Sequence, residues 1–194
     1  MYARTVGARE LTFGVSGMLW RDNLVMYDRQ TDSWWAQALG DAIEGPLKGQ
    51  RLTIVESSLV SWKEWRTLHP ATLVLDKQGA TGMTGTTDRY ETYHGSANIG
   101  VTGRTRMSGT HPPKMVVVGF QVKGRAVAVP MDDLQTGATL TTTVEGLPVT
   151  VTPTGDRTNA TVEVDGQKVS AFASYWFAWR AFYPDSQVIR RAKE

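Results

Sequence analysis

Apolar residues in this chain come mostly in short runs that alternate with polar positions at a period near two. Such runs occupy Leu11–Val15, Leu24–Tyr27, Arg51–Val55, Thr72–Leu75, Met115–Val122 and Arg125–Val129. Four more follow at Thr139–Val144, Pro148–Thr152, Ala160–Val164 and Lys168–Phe172. A period of two puts alternate side chains on one face of a pleated strand, which is how a half-buried sheet reads in sequence. Lys123-Gly124 and Asp165-Gly166 each lie between two such runs. An X-Gly pair there closes a hairpin, because glycine accepts the positive φ that a two-residue turn demands. The pattern predicts a mainly β protein of antiparallel sheets.

Two segments break the period. Ser61 and Glu64 have capping-box spacing, so the Ser61 hydroxyl can accept from the Glu64 amide. A short Trp-rich helix is therefore expected over Trp62–Leu68, stopping at His69-Pro70 because the residue before a proline is driven out of the helical region. A second is expected near Tyr175–Phe182, stopped in the same way by Tyr183-Pro184.

These helices belong to an internal repeat. Trp62, Trp65, Arg66, Pro70 and Val74 return as Trp176, Trp179, Arg180, Pro184 and Val188 at a constant offset of 114 residues. Gly49-Gln50-Arg51-Leu52 is mirrored by Gly166-Gln167-Lys168-Val169. The chain thus reads as a single domain over 1–194. The first repeat covers about 1–76, a Gly/Thr-rich excursion about 77–113, and the second repeat about 114–190. Tryptophans three apart share a helix face, and each ring buries roughly 150–250 Å². Both pairs are accordingly expected inside one core shared by the repeats.

Composition sharpens the picture. The 24 Thr and 20 Val favour strands over helix interiors. Lys plus Arg total 21 and Asp plus Glu 19, too even a balance for a phosphate-driven nucleic-acid binder. No cysteine is present, which removes disulfides, thiolate metal sites and a cysteine nucleophile from these residues. No apolar run is long enough to cross a bilayer as a helix, and the first ten residues contain no signal-peptide core.

Three segments together resemble a known family. They are Leu11-Thr-Phe-Gly-Val-Ser-Gly17, Leu24-Val-Met-Tyr-Asp-Arg29, and the run from Ser33 through Trp35, Gln37, Gly40 and Gly45 to Gly49. With Trp62-x-x-Trp65, His69-Pro70 and Trp176-Phe-Ala-Trp179 to Asp185, they are similar to the bacterial domain of unknown function 3179. That resemblance implies no activity. It does imply a periplasmic or extracellular setting. It also implies a Cys-Pro-x-Cys-like motif and a first copy of the Val118-Gly119…Gly124…Val129 hairpin ahead of the position of Met1; since neither is among these residues, no thiol or metal chemistry carries over, and the sheet edge left open is expected to be covered by the Gly/Thr-rich excursion or to pair with another chain as a homo-oligomer.

Candidate chemistry falls in three places. Tyr27, Asp28 and Arg29, with Trp35 and Gln37, form the densest polar–aromatic cluster. It reads either as a hydrogen-bonded turn or as a pocket in which Tyr27, Arg29 and Gln37 meet a polar ligand beside the face of Trp34 or Trp35. Arg104, Arg106 and Lys114 form a basic group suited to an anion. His94 and His111, with Asp88 or Glu91, have the ligand types for a metal ion such as zinc or iron, although a spacing of 17 is not diagnostic. Gly14-Val15-Ser16-Gly17 approaches a nucleophile elbow, but no helix signature follows it, and a turn explains Ser16 better. The expectation is a binding or structural module for a polar ligand or protein partner. The alternative is a metal-assisted hydrolase at His94 and His111.

Overall fold

The alternation between Phe13 and Glu44 becomes a four-stranded antiparallel meander. The structure is a computed structural model that describes residues 1–55, 57, 60–74, 90–100, 111–134, 138–154 and 159–191. A two-residue ribbon, β1 (Thr5–Val6) with β2 (Arg9–Glu10), precedes the meander of β3 (Phe13–Trp20), β4 (Asn23–Asp28), β5 (Trp34–Ala36) and β6 (Asp41–Glu44). Arg21 and Asp22 close the β3–β4 turn with φ of 52° and 59°, the twist that suits tight hairpins. The register of β3 slips between Val15 and Leu19. Ser16 holds this bulge: its hydroxyl donates to the Val25 carbonyl at 2.6 Å and accepts from the Met18 amide at 3.1 Å. Leu11, Trp35, Ala42 and Leu52 form the core of this half. Phe13 stands edge-on to Trp35, with ring centres 5.7 Å apart.

After α1 (Trp62–Leu68) and α2 (Glu91–Gly95), the second half begins with β7 (Val116–Val122) and β8 (Arg125–Pro130), an antiparallel hairpin. The sequence Val-Val-Val-Gly-Phe-Gln-Val in β7 is apolar at nearly every position because both of its faces are covered. Val118, Phe120 and Val122 face a second meander of β9 (Leu140–Val144), β10 (Leu147–Pro153), β11 (Ala160–Val164) and β12 (Gln167–Val169), from which Val144, Val149, Val151 and Val162 point inward. The opposite face carries Val117 and Ala128, which pack on Trp176 and Trp179 of α3 (Trp176–Phe182). β13 (Phe172–Tyr175) flanks β7. β14 (Gln187–Val188) joins β8 in parallel, whereas the other paired strands run antiparallel. The result is a sheet–sheet–helix stack.

The structure corrects several sequence expectations. The α1 boundaries and the Ser61 cap on the Glu64 amide are as expected, but its tryptophans are not interior. Trp62 and Trp65 are 50% and 38% exposed, against 4% and 2% for Trp176 and Trp179. Indole spacing predicts a shared face; it does not supply a surface to cover that face, and no strand pair lies on α1 among the described residues. A third helix, α2, occurs where the glycine content suggested loop. Lys168–Phe172 does not form one strand but divides between β12 and β13, which belong to different sheets. Arg51–Val55 contributes only isolated bridges at Arg51 and Ile54. Among the described residues no helix is long and apolar enough to cross a membrane.

Candidate functional site

Asp28 organises the turn after β4 from a fully buried position. Its carboxylate accepts from the Thr31 amide at 2.6 Å, the Gln30 amide at 3.2 Å and the Trp35 indole at 2.9 Å. The Thr31 hydroxyl, 2.9 Å from both carboxylate oxygens, donates to this group as well. Ser33 Oγ lies 2.7 Å from that hydroxyl and accepts from the Leu47 amide at 2.9 Å. Since Thr31 spends its single proton on Asp28, the Ser33 hydroxyl donates onward to Thr31. The relay thus runs from Leu47 to the carboxylate. Burial pushes the Asp28 carboxyl up, but the donors from Trp35, Thr31 and Gln30 outweigh it and hold the group below the usual range.

The other members of the sequence cluster are dispersed. Trp35 is 0% exposed, so its ring offers no stacking face; its indole N–H is spent on Asp28. Arg29 is exposed and donates to the Phe13 carbonyl at 2.5 Å, with its guanidinium 5.6 Å from the Tyr27 ring centre. Tyr27 in turn covers Gly14, where a Cβ would meet the phenol ring at 2.5 Å. Gln37 belongs elsewhere, beside Asn23 and on the cleft described below.

The basic and histidine groups are likewise engaged. Lys114 donates to the carbonyls of Tyr93 and Ser96 and to the Ser96 hydroxyl, and its ammonium lies 3.8 Å over the Tyr93 ring. A cation there suits the carbonyl end of α2, and all three of its protons are committed. Arg104, Arg106 and Asp88 lie outside the described residues. His94 Nδ1 is 2.6 Å from the Tyr175 hydroxyl, whereas His111 stands edge-on to Trp176 at 5.6 Å. Among the described residues, no three His, Asp or Glu side chains gather as a metal ion would require.

A cleft of about 560 Å³ opens between the two halves. Tyr2, Gln37, Arg51 and Ile54 come from the N-terminal half, and Gln121, Phe172, Ser174 and Tyr183 from the other. Both walls are built firmly. The Ala3 amide bonds the Thr53 carbonyl at 2.8 Å, and the Tyr2 hydroxyl donates to the Ala38 carbonyl at 2.9 Å. Arg51 grips Asp41 with two parallel hydrogen bonds, one of them 2.9 Å long, the fork geometry that guanidinium and carboxylate share. Tyr183 caps α3 and packs on Trp179 at 4.3 Å between ring centres. The halves are tied at one end by Arg21, which donates to the Ala181 carbonyl at 2.8 Å, and by Trp20 against Phe182 at 5.7 Å.

Electrostatics leave the cleft walls neutral or internally paired. Burial first, then Tyr183 and Asp41, push the Tyr2 phenol up to about 12 against the opposing pull of Arg51. Burial likewise raises Tyr183, with Arg51 opposing. Hydrogen bonding to Asp41 raises Arg51 against its own burial. Both phenols therefore keep their protons, and the guanidinium charge is balanced by Asp41. Ser174 Oγ is buried with no hydrogen-bond partner among the described residues, an expensive state for a hydroxyl.

Sequence reasoning missed Tyr2, Asp41, Arg51, Ser174 and Tyr183. Arg51 and Tyr183 were visible as parts of the repeat, where packing accounted for them. Nothing local joins positions 2, 51 and 183.

The model of the family described as "Protein of unknown function (DUF3179)" matches residues 1–170. No curated protein and no solved structure matches the chain. With a family match that spans both the meander of the first half and the sandwich of the second, the chain belongs to the DUF3179 family of proteins of unknown function.

Proposed function

We propose that the protein is a binding module of the cell envelope or exterior, and that it holds a small, uncharged polar ligand in the cleft between its halves. The observation that carries this reading is a cleft of about 560 Å³ to which both halves contribute polar side chains, Gln37 from one and Gln121 and Tyr183 from the other. A volume of this size lies within the range of small-molecule sites, which combine an apolar lining with a few convergent polar groups. Here Phe172 and Ile54 supply apolar surface, Gln37 and Gln121 supply amide donors and acceptors, and the two phenol rings border the same space. The Arg51–Asp41 pair is self-neutralised, which favours an uncharged ligand over an anion. The envelope setting rests on the family resemblance of the sequence.

The reading is tested by calorimetry with neutral sugars, polyols and amides on the intact protein and on Gln37→Ala and Gln121→Ala. A compound that binds the protein and binds each variant at least tenfold more weakly supports it. Binding that both variants leave untouched places the ligand elsewhere and ends it.

A further inference from the structure

Alternation along the strands decides which side chains of the second half look into the cleft. Phe172 of β13 is paired with Gly119 of β7, and directly opposed residues present their side chains on one face of a sheet. Gln121 lies two residues beyond Gly119 on β7 and shares that face. It is the face on which α3 packs: the Trp179 ring covers Gly119, which has no side chain to oppose it. Phe172 and Gln121 therefore border the indole, and both line the cleft.

The Phe172 ring meets Trp179 at 63° with centres 5.4 Å apart, an edge-to-face contact of the kind aromatic rings prefer. That contact orients the ring without covering it, since Phe172 is 43% exposed. A single exposed phenylalanine on an open surface needs no explanation. This one stands on the wall of a cleft of about 560 Å³, with Ile54 of the other half lining the same space. It is a fixed apolar platform.

Carboxamides stand on both walls around it. In the N-terminal half, Asn23 Oδ1 accepts from the Ala38 amide at 2.9 Å, and Asn23 Nδ2 donates to Gln37 Oε1 at 3.5 Å. Gln37 Nε2 is left with no partner among the described residues. In the other half, burial raises the Tyr183 phenol, and a hydrogen bond with Gln121 is among the influences that pull it back. Gln121 is thus held beside Tyr183 while its residue stays exposed. The charge nearby is spent, because Arg51 grips Asp41 through two of its nitrogens.

We propose that the ligand of this cleft is a saccharide, with a pyranose ring lying on Phe172 and its hydroxyls bridging Gln37 on one wall to Gln121 on the other. This rests on the cleft reading and narrows it. A pyranose is uncharged, carries an apolar C–H face that matches an aromatic platform, and has a rim of hydroxyls. Each hydroxyl both donates and accepts, as a carboxamide does, so two neighbouring hydroxyls satisfy both ends of one glutamine. Glycerol and acetamide have the polar groups without the rigid apolar face. Nicotinamide has a flat ring without the rim of hydroxyls.

The test titrates the intact protein, followed by amide and side-chain NMR, with glucose, galactose, mannose and N-acetylglucosamine. Each is used free and as its methyl pyranoside, which separates a free sugar from a unit of a glycan. Glycerol, acetamide and nicotinamide are the comparison probes. At least one pyranose is expected to bind about tenfold more tightly than any of these three, to receive saturation at its ring C–H protons, and to shift the Phe172 ring resonances. Phe172→Leu keeps apolar bulk against Trp179 and removes the flat face. It should weaken that sugar about tenfold and leave glycerol and acetamide unchanged, and Phe172→Tyr should restore the affinity. The proposal is overturned if every pyranose binds no more tightly than glycerol, if nicotinamide binds more tightly than all of them, or if Phe172→Leu leaves sugar binding as it was. In those cases the cleft reading still stands wherever the comparison probes shift Gln37 and Gln121. If no probe of any kind reaches those two residues, the cleft reading fails and the saccharide falls with it.

Discussion

Trp179 lies so close over Gly119 that a Cβ on the glycine would come within 2.2 Å of the indole Cζ3. This contact fixes the helix α3 on the hairpin beneath it, and it places Tyr183, the next ring along, on the cleft. Gly119→Ala is therefore expected to destabilise the protein by ~2–3 kcal/mol through overpacking. Gly124, with open space around it but φ of +82°, makes the contrast. Its replacement by alanine should cost only about 1 kcal/mol, through backbone strain alone. Denaturant unfolding of the two variants measures the difference. Trp179→Phe should recover part of the Gly119→Ala loss and none of the Gly124→Ala loss.

Asp28 makes the turn after β4 sensitive to acid. Its folded pKa lies below the unfolded value near 3.9. The stability it contributes is thus present above about pH 4 and is lost as pH falls through the folded value. Asp28→Asn keeps the shape but turns an amide N–H toward the Thr31 and Trp35 donors, at an expected cost of ~2–4 kcal/mol at neutral pH. Urea midpoints measured from pH 7 down to pH 2 should fall less steeply for the variant than for the parent. Equal slopes would show that the carboxylate is not a source of the acid sensitivity.

Alkaline pH acts on the cleft in the opposite sense. The Tyr2 phenol titrates near 12 in the fold against 10.0 unfolded, so its contribution is complete below pH 10 and is lost as pH rises toward 12. Tyr183, raised for the same reason of burial, adds to that loss. Tyr2→Phe should lose the hydrogen bond to Ala38, about 1 kcal/mol at pH 7, and should flatten the decline in stability between pH 10 and 12. A variant that declines as steeply as the parent would contradict the assignment.

How legible this was from sequence depends on the range of the interaction. The α1 boundaries, the Ser61 cap and the Lys123-Gly124 and Asp165-Gly166 turns were readable because each is decided within a few residues. The Asp28 relay was half readable: Asp28, Thr31 and Trp35 are neighbours, and a hydrogen-bonded turn was one of the two readings their residue types allowed. The exposure of Trp62 and Trp65 was not readable, because a helix pattern shows which face is apolar and not whether anything covers it. The cleft was the least accessible. It joins Tyr2 to Arg51 and both to Tyr183, and only the docking of one half on the other, through Arg21 on the Ala181 carbonyl, brings them together.

Recognition in the cleft is tested most directly by mapping where small neutral probes settle on the intact protein. Acetamide, glycerol and glucose titrated to high millimolar concentration should each shift the amide resonances of Gln37, Gln121, Ser174 and Tyr183, and leave those of the Tyr27–Arg29 turn in place. Probes that gather instead at that turn, or scatter over the surface with no preference for the cleft, would contradict it.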